Sequence, residues 1–428
     1  MPSIIRVHVF WVAAEIESMT HPRSRSIAAL TTLTLLSPVA LAGGPALSGM
    51  SAQADSAETA ISNPAGMARL DEATFTVRTV VGEGLGEFKV DENRTTMDGG
   101  DPDSNFAPVI LPMLFYVRPL GERWRAGISL TIPTGFGADY GSDWAGRYYS
   151  DYYTLVYVAL TPALSYRVND KLSLGVATNI NYTLSETEVP FNNPGADVAD
   201  GRLKAELDGI GSSFSLSMLW EATEHTRYGL VYTSEAQADL EGDLKFRNLG
   251  PVLESVLQQQ GLLDSDIKVE NTLPQRISGG MYHEFESGAS FSIDAMWMEF
   301  SEFGTSSVSL NGSSLEIDEN GAFDDFWGMS VGWGFPACGR LRWSVGAFYT
   351  SAPVDDDERS LSLALDRMWG VGAGVHVTRQ GGRSIDLNAN IVDYGEAPVD
   401  TGDSPYRGRV VGKTDNPYAL MFDASFHF

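Results

Sequence analysis

Cysteine is almost missing: Cys338 is the single one in 428 residues, so no disulfide can form within the chain. Positive charge is scarce as well. Twenty-nine Lys and Arg stand against 56 Asp and Glu, a formal charge of −27. That is the wrong sign for a surface that must neutralise phosphates, which excludes nucleic acid as a partner. Beyond the N-terminal leader no stretch approaches the roughly 20 apolar residues of a membrane-spanning helix. Histidine is sparse: apart from His8 and His21 in the leader, there are His225, His283, His376 and His427. None stands in a recognisable Ser–His arrangement, and no Cys/His cluster has metal-ligand spacing. The sequence therefore offers no catalytic set, no metal site and no cofactor, and a lipid hydrolase is disfavoured.

What is present begins with "MTHPRSRSIAALTTLTLLSPVALAGG". Arg23 and Arg25 form a short basic region, Ile27 to Leu36 a mostly apolar run, and Ala40-Leu41-Ala42 a small-x-small cleavage pattern. This is the order of a secretory signal, so cleavage is expected after Ala42, leaving Gly43 first. Met19 opens that pattern and is the expected start, making residues 1–42 a leader.

From about Asp71 onward the chain alternates with period two, the signature of strands with two unlike faces. In "KLSLGVATNINYTL", Leu172, Leu174, Val176, Ile180, Tyr182 and Leu184 share one face. The final "YALMFDASFHF" sets Tyr418, Leu420, Phe422, Ala424, Phe426 and Phe428 against a more polar face that includes Asp423, Ser425 and His427. Short turns such as "PLGER", "RVNDK", "EATEHT", "EFESG", "PACGR" and "TRQGG" alternate strictly with long polar or acidic connections. The long ones fall near 90–105, 134–152, 186–202, 244–268, 303–320, 351–365 and 395–415. Counting the runs they separate gives about fourteen strands. Long loops on one rim and tight turns on the other is the pattern of an outer-membrane barrel. Closure matters there because lipid cannot satisfy the backbone groups of a free sheet edge. The expected fold is all-β, a transmembrane antiparallel barrel of about fourteen strands over residues 71–428. Its last strand closes on the first, with an apolar face toward lipid.

Several segments resemble one family. "ISNPAGMARL", "IPTGFGADYGSDWAGRYY", "LTPALSYRVNDKLSLGVATNINY", "TLPQRISGGMYHEF" and the final "ASFHF" are similar, in this order, to FadL/TodX-type outer-membrane transporters of long-chain fatty acids and other hydrophobic compounds. The likeness runs from about Gly43 to Phe428. It implies fourteen strands and a small N-terminal hatch inside the lumen, here residues 43–70. It also implies passive transport: capture at a greasy extracellular site, passage to an internal site, and sideways exit where a kinked strand breaks the wall. The implied partners are a hydrophobic small molecule such as a fatty acid, outer-membrane lipid, and the barrel-assembly machinery, which reads the terminal aromatic signal of Phe426 and Phe428. A monomer in the outer membrane of a Gram-negative cell is expected.

Each part has candidate residues. For outer capture, "NLGPVLESVLQQQGLL" places Leu249, Val252, Leu253, Val256 and Leu257 at helical spacing, followed by Leu262 and Leu263. An amphipathic helix in an outer loop must put that face somewhere, on a ligand or on the barrel. For the kink, Pro133 lacks a ladder donor and Gly135 and Gly137, flanking Phe136, permit a bend. The alternative there is a strand that ends and becomes a loop. For the hatch, the resemblance points to a turn at Asn63, Pro64, Ala65 and Gly66. For a ligand carboxylate, Arg147 in "WAGRYY" is the candidate, against an ordinary rim salt bridge. A hydrophilic porin, a structural or adhesive barrel, and a channel for aromatic or aliphatic hydrocarbons are the competing functions.

Overall fold

The computed structural model describes residues 48–102, 109–193, 199–260, 263, 265–310, 313–316, 323–361, 364–405 and 407–428. The leader, the first residues of the expected hatch and Leu262 lie outside the described residues. Eighteen antiparallel segments form one closed sheet; four strands are interrupted once each, which leaves fourteen.

The strands are β1 (Thr74–Gly84), β2 (Val109–Pro119), β3 (Trp124–Asp139), β4 (Tyr152–Asn169), β5 (Leu172–Phe191) and β6 (Gly201–Glu221). Four interrupted strands follow: β7 (Thr226–Thr233 and Ala236–Arg247), β8 (Asp266–Leu273 and Arg276–Glu284), β9 (Ser290–Met298 and Gly304–Leu310) and β10 (Ser313–Glu316 and Phe326–Gly334). The wall is completed by β11 (Leu341–Thr350), β12 (Met368–Thr378), β13 (Ser384–Asp393) and β14 (Tyr418–His427). Closure is direct. Thr76 pairs with His427 and Gly84 with Ala419, so β14 fills the edge that β1 would otherwise leave open.

The period-two pattern sorts side chains as the sequence reading expected. Leu174, Val176, Ile180, Tyr182 and Leu184 of β5 point outward and are exposed, as are Phe214, Leu216 and Trp220 of β6. The outward run from Ile210 to Trp220 matches the ~9–11 residues a tilted strand needs to cross a bilayer. Above it the same face turns charged. Lys204 binds Glu186 at 3.0 Å, Lys245 binds Glu206 at 3.0 Å and Lys268 binds Asp239 at 2.7 Å. Tyr182 marks the boundary, its hydroxyl donating to Asp208 at 3.0 Å. Strands β5 to β9 therefore rise above the lipid band, around an inner cluster that includes Val189, Leu203, Leu240 and Ile267.

This corrects the expected loop boundaries. β3 continues to Asp139, β5 to Phe191 and β7 to Arg247, through stretches read as long connections. Polar outward faces looked like loop in the sequence because water, not lipid, lies beside that part of the wall. Two connections also fold. Glu87–Val90, Val399–Asp400 and Val411–Asp415 make a separate three-stranded sheet over the outer rim. Its Phe88 and Val399 share a core with Tyr140 and Trp144 of the "DWAGRYY" segment.

Inside the opposite end sits the N-terminal segment. A one-turn helix, Thr59–Ser62, leads to a 3-10 helix, Pro64–Arg69. Asn63 is fully buried and caps the second helix by accepting from the Ala65 N–H at 3.1 Å. The Asn-Pro-Ala segment is thus a helix start, not a simple turn, with proline supplying the first-turn geometry. Gly66 is needed for close packing, since a Cβ there would lie 2.3 Å from Thr59 Oγ1.

Candidate functional site

The breaks in β7, β8 and β9 lie side by side and frame the internal site. Pro274 interrupts β8, where its ring removes a ladder donor. Gln275 beside it accepts from Tyr232 Oη at 2.8 Å, and its carbonyl receives the Glu299 N–H at 3.1 Å. In β9 the break is a 3-10 turn, Phe300–Glu302. That turn swings Phe300 and Phe303 inward, stacked with ring centroids 4.6 Å apart and an interplanar angle of 13°. Phe326 of β10 meets Phe300 edge-on at 5.5 Å.

These rings line a cavity of about 1100 Å³, counting the part open to solvent, together with Met298, Leu365 and Met368. Cavities of this size suit small apolar ligands. Its polar lining is sparse. Asp366 faces it but is occupied, accepting from the N–H groups of Arg367 at 2.7 Å and Ala397 at 3.0 Å. Asn179 and Asn181 line the β5 side; Asn179 is bonded to Ser213 and Ser215 at 3.1 Å.

Arg276 is different. It follows the Pro274 break, points inward by the alternation that turns Ile277 out, and lines the cavity. Among the described residues it has no ion pair and no side-chain hydrogen bond. A guanidinium carries five donors, and among the described residues those of Arg276 have no protein partner in a cavity whose exposed lining is mostly apolar.

A second space, about 800 Å³ by the same measure, lies on the hatch side and shares Ile61, Arg276 and Thr350 with the first. Met50, Ser278, Asp294, Met296 and Phe348 help to line it. The hatch forms its floor and is bound to the wall by many polar contacts. Arg125 Nε donates to Leu70 O at 2.7 Å, Arg227 Nε to Ala52 O at 2.7 Å, and Ser51 N to Asp294 Oδ1 at 2.9 Å. Ala65 N donates to Ser217 Oγ at 2.9 Å. At the β1–β14 seam, Arg78 is buried between Asp423 and the hatch residue Glu58, which also accepts from Ser425 Oγ at 2.9 Å.

The wall has an irregularity where a kink was expected. Thr131 pairs with Ala159 and Thr134 with Tyr157, so Ile132 and Pro133 together oppose Val158. That is a β-bulge, which bends a strand and interrupts its ladder. β3 does not end there but continues, with Gly135 and Phe136 opposite Val156 and Leu155. Gly137 approaches β4 closely, since a Cβ would lie 2.9 Å from Tyr153 O. On the other side, β2 pairs with β3 from Leu114↔Leu130 to Pro119↔Arg125. Among the described residues no ladder joins Val109–Met113 to β3 beyond Leu130, although the same stretch pairs with β1. Pro133 lines the first cavity, so the weak part of the wall adjoins the internal site.

The outer candidates are placed elsewhere. The loop helix forms over Pro251–Gln260. Its apolar residues divide: Val252 and Val256 are exposed, Leu257 is buried, and Leu253 is partly buried. Leu249 and Leu263, partly buried, lie just outside it. None of these residues lines either cavity. Arg147 sits in the outer loop, not the lumen. It donates to Asp98 O at 2.7 Å and to Asp98 Oδ1 at 2.9 Å, and its guanidinium lies 4.8 Å from the Tyr148 ring centroid. Those hydrogen bonds hold the Asp98 carboxyl below the usual carboxylate range. Phe426 and Phe428 point outward at the strand end, where Phe428 N donates to Phe75 O at 2.9 Å.

The family model described as Outer membrane protein transport protein (OMPP1/FadL/TodX) matches residues 28–426. The chain belongs to this family of outer-membrane transport barrels. A long-chain fatty acid transport protein of Escherichia coli O6:H1 is 25% identical over 422 residues, covering 90% of this chain and 91% of that one. The fold is also that of a Pseudomonas aeruginosa FadL homologue, with a TM-score of 0.73 at 19% identity and coverage of 96% and 99%. The toluene transporter TodX of P. putida gives 0.61 at 17% identity, covering 86% of this chain and 93% of that one. The family transports hydrophobic compounds, and its members are channels rather than enzymes.

Proposed function

We propose that the protein takes up long-chain fatty acids or closely similar amphipathic acids across the outer membrane, passively, with sideways release through the wall. The observation that carries this reading is the guanidinium of Arg276, without an ion pair among the described residues, in a cavity whose lining includes Phe300, Phe303, Phe326 and Met298. An apolar chain gains from leaving water at ~25 cal/mol per Å², and its carboxylate gains a charge-assisted bond. Neither term alone requires an acid, but together they favour one. Capture begins on the exposed Val252 and Val256 of the loop helix. Release occurs at the Ile132–Pro133 bulge, beside the stretch of β2 that, among the described residues, pairs with β1 but not with β3. The hatch residues Asn63 to Gly66 keep the periplasmic end shut, so the ligand leaves through the wall rather than through a water-filled pore.

Among the competing ligands, an aromatic hydrocarbon is supported by the phenylalanine cluster. The two readings separate in one experiment. In a host lacking its own transporter, labelled oleate and labelled toluene are supplied at matched surface levels of the protein. Saturable oleate uptake supports the acid reading. Saturable toluene uptake with no oleate uptake would replace it with a hydrocarbon channel. The monomeric state and delivery by the assembly machinery through Phe426 and Phe428 belong to the same proposal.

A further inference from the structure

Two cavities share Ile61, Arg276 and Thr350 in their linings, and Arg276 is the charged one of the three. The outer one is ringed by phenylalanines and the hatch-side one by Met50, Met296 and Phe348, and Arg276 belongs to the lining of both. This inference rests on the acid reading above. We propose that Arg276 is a pivot: it holds the ligand's carboxylate while the apolar chain swings from the outer cavity into the hatch-side one. The hatch-side cavity is then a second binding station for the chain of a single-chain organic acid.

The physical reason lies in what moves. Displacing an anion through a low-dielectric lumen without a partner is expensive. Turning an apolar chain between two apolar cavities about a fixed head costs little. Nothing draws the head downward, because among the described residues the hatch-side lining carries no cation besides Arg276 and its other charged side chain is Asp294. That carboxylate already accepts from the Ser51 N–H at 2.9 Å and repels a second anion. Ser278, two residues beyond Arg276 on the same inward face, lines the lower cavity and not the upper one. It allows one cavity to be filled without touching the pivot.

The test uses a long-chain fatty acid with a free carboxylate and a diazirine at its far end, photolysed on the detergent-purified full-length barrel. Labelled peptides are then mapped by mass spectrometry. Native protein should label both around Phe300–Phe326 and around Met50, Met296 or Phe348. Ser278→Phe should lose the hatch-side labels and keep the outer ones, with heat-modifiable mobility confirming a folded barrel. Arg276→Gln should need at least about tenfold more probe for half-maximal labelling, and Arg276→Lys should recover part of that loss. The methyl ester of the probe should not distinguish Arg276→Gln from native protein. Outer labels alone in native protein would overturn the pivot while leaving the transport reading standing. Equal labelling of native and Arg276→Gln protein by the acid would overturn it too. No saturable labelling in either cavity would remove both.

Discussion

Arg147 and Arg276 are the same side chain in opposite circumstances. Arg147 lies in a loop, clasped by Asp98, and stacks beside Tyr148. Arg276 lies inside the wall and has no ion pair among the described residues. A bond from a charged donor contributes ~1.5–3 kcal/mol, so Arg276→Gln should raise the oleate concentration for half-maximal uptake about tenfold or more. Toluene uptake should be unchanged. Arg147→Gln should alter neither by more than about twofold, because an exposed ion pair contributes ~0–1 kcal/mol. The check is uptake kinetics at equal surface expression, and an equal loss for both ligands would give Arg276 a structural role instead. Sequence reading preferred Arg147 because a motif surrounds it. Arg276 carried a quieter signal: a cation on the inward parity of a membrane strand, directly after a proline that breaks the ladder.

At the level of elements, the strands were readable because alternation is a direct consequence of one face meeting lipid and the other the lumen. The breaks were not. Interruptions in β7, β8 and β9 become visible only when three neighbouring strands are aligned and their irregular residues fall at one level. The loop helix was legible from its spacing, but where its apolar residues point depends on neighbours distant in sequence. The hatch likewise shows how elements constrain one another. Gly175 of β5 faces it so closely that a Cβ would lie 2.2 Å from Ala65 N and 2.5 Å from Pro64 C. Both are backbone atoms and cannot rotate away. Gly175→Val should therefore dislodge the hatch while the wall still forms. Planar-bilayer recordings should show raised conductance from a barrel that remains heat-modifiable. Gly127→Ala should be milder, since its Cβ would meet the flexible Met67 Sδ first, at 2.5 Å. Unchanged conductance in Gly175→Val would mean the hatch tolerates displacement without opening the lumen.

The barrel closes where its first strand meets its last. Phe75 and Phe428 exchange backbone hydrogen bonds at 3.1 and 2.9 Å, and Arg383 lies 5.8 Å from the Phe428 ring centroid. Deleting Phe428 removes the last bonded pair of the seam together with an interfacial aromatic. The yield of heat-modifiable barrel should fall well below that of a loop change such as Asp357→Ala, as judged by gel mobility without boiling. Equal yields would reduce the terminal ring to lipid-facing filler. Global architecture was the most legible level: fourteen strands and their closure follow from turn order and parity. The taller wall of β5 to β9 was not, because polar outward faces above the lipid resemble loops in sequence.

If a bound acid leaves through the wall at the β3 bulge, as proposed, one deletion should block it. Removing Pro133 takes out the extra residue, leaving Ile132 opposite Val158 and restoring a regular ladder between Thr131↔Ala159 and Thr134↔Tyr157. Inward and outward parity on both sides is preserved, so the barrel should assemble. The measurement is labelled-oleate uptake by cells carrying the deletion, alongside oleate binding by the purified protein, at matched surface levels. Release through the bulge predicts binding within about threefold of the parent and uptake reduced at least about tenfold, the loss of a path rather than of a site. Parental uptake with the bulge removed would rule out release at this strand.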